Sequence, residues 1–78
     1  MIVKARLFGT LHRFAAPGSP GSWRGDLPTG STVRDAVRAI GAEEREVSVA
    51  VLNGISMPLD TIIPPEADLV LVTLMGGG

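Results

Sequence analysis

The segment from Thr32 to Gly41 carries the clearest helix signal in this chain, and most of what surrounds it reads as strand. Thr32 stands where an N-cap belongs, and Asp35 falls three residues later, beside the unpaired amides of a first turn. The pair forms a capping-box pattern with Asp in the place of Glu. Val33, Ala36, Val37 and Ile40 then recur at helical spacing as one apolar stripe, and Gly41 sits where a left-handed C-cap is expected. Arg34 and Arg38 fall on the opposite face and read as solvated.

Strand patterns lie on both sides. Ile2 to Phe8 alternates, with Lys4 and Arg6 on one face and Val3, Ala5 and Leu7 on the other, the period of a half-buried strand. Gly9 to Ala16 could form a short helix with Leu11 and Phe14 on one side, and Pro17-Gly18-Ser19-Pro20-Gly21 is a breaker cluster that reads as a loop within the domain. Ser22 to Leu27 suits a short second strand. Val47 to Leu52 reads as a buried strand closed by Asn53-Gly54, a strong two-residue hairpin signal, with Ile55 to Met57 as the return strand held to an edge by Pro58. A compact connection leads to the last strand, which runs from Leu69 to Met75. The order strand, strand, helix, strand, short strand, strand predicts an α+β roll, a mixed sheet wrapped on one main helix.

Composition narrows the chemistry. The 78 residues make one small domain, and 45% hydrophobic against 19% charged is a globular balance. The mean hydropathy of +0.32 suggests a very apolar core or a surface patch kept for a partner. No apolar run is long enough to span a membrane, and the amino terminus has no signal-peptide layout, so a cytoplasmic location is expected. With a formal charge of −1 and scattered basic residues, nucleic acid is a poor partner. There is no cysteine, which removes disulfides, thiolate metal sites and thiol nucleophiles together. One histidine and no tyrosine leave little for acid–base work, and the chain reads as a non-enzyme with no metal site. His12 reads as a surface or packing residue, Trp23 as a cover for one end of the core, and Asp60-Thr61 as a turn.

The sequence ends on three glycines, Gly76, Gly77 and Gly78, directly after the last apolar strand. Glycine has no Cβ, so such a segment can enter a narrow channel backbone-first, and three extended residues reach roughly 10 Å. The reactive group of such a tail is the α-carboxylate of Gly78. The expected organisation is a domain over residues 1–75 and a glycine tail over 76–78. In the last strand Leu69 and Leu71 alternate with Val70, Val72 and Leu74, and only one of these sets can face the helix.

Several short motifs in this order resemble one family. Arg6-Leu7-Phe8-Gly9-Thr10-Leu11 and Thr32-Val33-Arg34-Asp35-Ala36-Val37 resemble its first strand and central helix. Val51-Leu52-Asn53-Gly54, Pro58-Leu59-Asp60-Thr61 and Ala67-Asp68-Leu69-Val70-Leu71 resemble the strands before its tail. With the terminal Gly77-Gly78, the chain resembles the ubiquitin-like sulfur carriers of the MoaD/ThiS group. The resemblance implies a β-grasp fold and a protein co-substrate. It also implies that Leu69 and Leu71 face the core, which would leave Val70, Val72 and Leu74 on the open face as, with Met75, a docking surface. A ubiquitin-activating-type adenylating enzyme (MoeB/ThiF-like) would use ATP and magnesium to adenylate Gly78. A persulfide donor would then supply the sulfur of a C-terminal thiocarboxylate, and Gly76 and Gly77 would thread the tail. No stably bound cofactor is implied. The acceptor partner would be a synthase large subunit, as in molybdopterin synthesis, or a thiazole synthase. The segment Leu7 to Ala16 resembles the molybdopterin synthase small subunit, whereas the Met-Gly-Gly-Gly ending resembles some thiamine-type carriers. Two rivals stand beside this: a modifier joined to lysines through the same tail, and an interaction module whose glycines are inert.

Overall fold

The computed structural model describes residues 1–15, 18 and 21–73. Strand β1 (Ile2–Phe8) leads into a 3-10 helix (Gly9–Phe14), and β2 (Ser22–Asp26) returns antiparallel to β1. Helix α1 (Val33–Ile40) follows, then a second 3-10 helix (Glu44–Glu46), the hairpin β3 (Val49–Leu52) and β4 (Ile55–Ser56), and β5 (Leu69–Val72). The five strands form one mixed sheet in the order β2-β1-β5-β3-β4. Strand β5 is central, parallel to β1 and antiparallel to β3. One helix laid across a mixed sheet with its last strand in the middle is the β-grasp arrangement.

Local chemistry accounts for the elements. The Thr32 hydroxyl accepts from the Asp35 amide at 3.2 Å, and the Asp35 carboxylate accepts from the Thr32 amide at 2.9 Å, so the capping box is reciprocal. The next two amides of the helix, Val33 and Arg34, donate to the carbonyls of Thr61 and Leu59 at 2.9 Å each, so the connection before β5 serves as an outer cap. Gly41 closes the helix in the left-handed region at φ 99°. In the β3–β4 hairpin Asn53 and Gly54 both take positive φ, 51° and 83°, as the tight turn requires.

The core lies between α1 and one sheet face. Val3, Ala5 and Leu7 of β1, Ala50 and Leu52 of β3, and Leu69 and Leu71 of β5 point into it and meet Val33, Ala36, Val37 and Ile40. Leu11 of the first 3-10 helix and Ile63 complete it. Trp23, opposite the buried Ala5, packs on the β2 side of this core, and its indole lies over Gly25.

Several sequence expectations shift in detail. The first helical segment is a 3-10 helix, β3 begins at Val49, and the second 3-10 helix stands where no element was expected. Arg34 is not simply solvated, because its guanidinium pairs with Glu44 at 2.7 Å and with Asp60. Arg38 also reaches Glu44, at 3.3 Å. Asp60 therefore contributes an ion pair, while the Thr61 amide closes the turn onto the Pro58 carbonyl at 3.1 Å. Of the last strand, Leu74 and Met75 lie outside the described residues, as do Gly76, Gly77 and Gly78.

Candidate functional site

The pleat of β5 sorts its side chains. Leu69 and Leu71 are fully buried, while Val70 and Val72 lie half-buried on the opposite, helix-free face. Register then dictates their neighbours. Val72 is flanked by Phe8 of β1 and Val49 of β3, and Val70 by Arg6 and Val51. Phe8 is 49% exposed, unusual for a large aromatic side chain on the sheet. Phe8, Val49, Val51, Val70 and Val72 thus make one apolar tract on the open face, adjoining the end of β5. Of the expected docking residues, Val70 and Val72 are in this tract, and Leu74 and Met75 lie outside the described residues.

The other half of the open face is charged, with basic and acidic side chains together. Lys4 stands directly opposite Arg24, and Arg6 pairs with Asp68 at 2.7 Å. These side chains, with Glu66, line a cleft of about 610 Å³. Among the described residues no group of three or more acidic or histidine side chains converges as metal ligands would.

Several contacts converge at Thr73, one residue past the end of β5. The Thr73 amide donates to the Phe8 carbonyl at 3.3 Å, and the Ser48 amide donates to the Val72 carbonyl at 2.9 Å. The Thr73 hydroxyl donates to the Glu46 carbonyl on the far side. Gly9 approaches Thr73 closely, at φ 71°, and a Cβ on it would fall 2.2 Å from the Thr73 carbonyl oxygen. Arg13 ties the two 3-10 helices together. Its guanidinium pairs with the Glu46 carboxylate, donates to the Thr10 carbonyl at 2.9 Å and stacks 4.4 Å over the Phe14 ring. Hydrogen bonding from Arg13 holds the Glu46 carboxyl below the usual carboxylate range, with a further contribution from the Glu43 amide.

Sequence reasoning placed Val70 and Val72 but passed over Gly9, Arg13, Glu46 and Thr73. Only the Phe8-Gly9 step, an isolated glycine directly after a strand, signals a close backbone approach.

No family model and no curated protein matches this chain. Two solved structures do. The crystal structure of SAMP1 from Haloferax volcanii superposes with a TM-score of 0.74 at 25% identity, covering 100% of both chains. The crystal structure of H. volcanii small archaeal modifier protein 1 gives 0.71 at 22% identity, over 92% of this chain and 95% of that one. The chain thus has the fold of these proteins.

Proposed function

We propose that this protein is a ubiquitin-like carrier activated at the carboxylate of Gly78. The observation that carries the reading is the path of β5. The central strand of a β-grasp runs past an open apolar tract into a sequence that ends Gly76-Gly77-Gly78, and the fold is similar to that of SAMP1.

A carboxylate is a poor electrophile, so the chemistry needs an activating partner. A Gly78 carboxylate oxygen attacks the α-phosphorus of ATP, pyrophosphate leaves, and an acyl adenylate forms on a separate adenylating enzyme. Hydrosulfide attacking that acyl carbon displaces AMP and leaves a thiocarboxylate. A persulfide donor gives an acyl disulfide first, which a thiol reductant cleaves to the same product. In this scheme the chain is a co-substrate, and the acceptor is a cofactor precursor, molybdopterin first and the thiamine thiazole second. Gly76 and Gly77 give slim access to the enzyme's channel, while Val70, Val72, Leu74 and Met75 dock the enzyme.

A second reading is favoured by the name of the matched structure, a small archaeal modifier protein. Here a lysine amine, in place of hydrosulfide, attacks the activated carbonyl, and the product is an isopeptide. Both outcomes share the adenylation step.

One experiment separates them. The protein is incubated with ATP, magnesium, sulfide and the adenylating enzyme of its own source, and its intact mass is read. A gain of about 16 Da on the C-terminal peptide, sulfur for oxygen, establishes the carrier chemistry. Lysine-linked adducts without that gain establish the modifier. Neither product from an enzyme active on another carrier refutes activation at Gly78.

A further inference from the structure

We infer that Gly9, Thr73 and Glu46 form a clamp that fixes the point and direction in which the chain leaves the sheet, and so presents Gly78 to the activating enzyme. The inference rests on the proposed activation of Gly78 and names positioning residues for it.

Three restraints converge on Thr73, one residue past the end of β5. Its amide is held by the last carbonyl of β1, its hydroxyl by the carbonyl of Glu46, and its own carbonyl oxygen lies against Gly9. The contact at Gly9 is with backbone rather than with the tip of a side chain. A Cβ there would be 2.2 Å from the Thr73 oxygen and 3.2 Å from the Thr73 Cβ, so any larger residue must push the Thr73 peptide aside. The positive φ of Gly9 adds a second reason for glycine. Arg13 closes the circuit by joining the helix that begins at Gly9 to the helix that ends at Glu46.

A strand that merely had to end would need none of this, since water satisfies exposed amides and carbonyls. Direction at Thr73 matters because of the lever beyond it. Five residues span roughly 17 Å at full extension, and over such a length a tilt of about 10° at the root moves the far end by about 3 Å. A misplacement of about 1 Å can already cost a reaction 10²-fold. Docking is left to the tract around Val70 and Val72, so aiming and docking are separable.

The test compares the wild type with Gly9→Ala and Thr73→Val in ATP–pyrophosphate exchange on the adenylating enzyme. Thr73→Val keeps the branched side-chain shape and replaces the hydroxyl with a methyl that cannot donate to the Glu46 carbonyl, so it carries the test if Gly9→Ala does not fold. Folded variants are defined by amide exchange protection at Leu69 and Leu71. The expected result is a fall in kcat of about 10- to 100-fold with KM within about twofold, and faster exchange of the Thr73 amide. Unchanged kcat in folded variants overturns the clamp. If the wild type itself supports no pyrophosphate exchange, the proposed function fails. The clamp is then judged on exchange of the backbone amide at position 73 alone, and wild-type protection in both variants overturns it.

Discussion

If the open face docks the activating enzyme as proposed, Val72→Asp is expected to separate docking from folding. Val72 sits on the central strand between Phe8 and Val49, half-buried on the open face, so the new carboxylate lies in the apolar tract but outside the core. The folded state loses part of a valine's burial, at most about 1.5 kcal/mol, and strand propensity adds up to about 1 kcal/mol. A domain of this length holds roughly 4–12 kcal/mol of stability, so the variant is expected to stay folded. Docking is affected far more. Desolvating an unpaired carboxylate at the centre of an interface costs about 3–5 kcal/mol, which corresponds to roughly 100- to 4,000-fold in affinity. In ATP–pyrophosphate exchange, kcat/KM is therefore expected to fall by at least about 100-fold, with the loss in KM. Circular dichroism and the melting temperature establish that the variant is folded. A folded Val72→Asp protein with wild-type kcat/KM would refute docking through this face.

Other expectations concern the scaffold. Thr32→Ala removes the hydroxyl that caps α1 and is expected to cost about 1 kcal/mol, read as a fall in Tm of roughly 4–8 °C. Gly25→Ala puts a Cβ 2.5 Å from the Trp23 ring. The indole must swing outward, and a red shift in the emission of this single tryptophan is the measurement. Asp35, Glu44 and Glu46 all have lowered carboxyl pKa values, through the Thr32 amide, the Arg34 guanidinium and the Arg13 guanidinium respectively. The unfolded chain therefore binds protons first. Their contribution is complete above the ordinary carboxylate range of about 4–4.5 and is lost as pH falls through the lower folded values. Urea midpoints should be flat from about pH 7 to 5 and drop below about pH 4; a midpoint unchanged to pH 3 would contradict the assignment.

The elements legible in the sequence were those whose signals are local. The capping residues and apolar stripe of α1, the Asn53-Gly54 turn and the alternation of β1 each depend on neighbours a few residues away, and each stands where the sequence put it. The second 3-10 helix gave no such signal, because Glu44–Glu46 is three charged residues with no buried side chain. Arg34 looked solvated for a related reason. Its partners lie 10 and 26 positions away, at Glu44 and Asp60, and no periodicity connects them. The ring around Thr73 was hidden most completely. It depends on Gly9 and Thr73 meeting across the chain, and only the parallel pairing of β1 with β5 brings them together.

That pairing also governs the order in which the molecule can be completed. Until β5 inserts, the sheet is two separate hairpins, β1–β2 and β3–β4, with no shared ladder. Ala5 must find Leu69 across nearly the whole sequence, the kind of distant contact that slows folding and makes it all-or-none. The strand that joins the halves is also the one that leads into the glycines. A chain that has not finished folding has no open face and no fixed root for its tail. On the proposed activation of Gly78, this topology makes the completed sheet the form that presents the carboxylate to an enzyme.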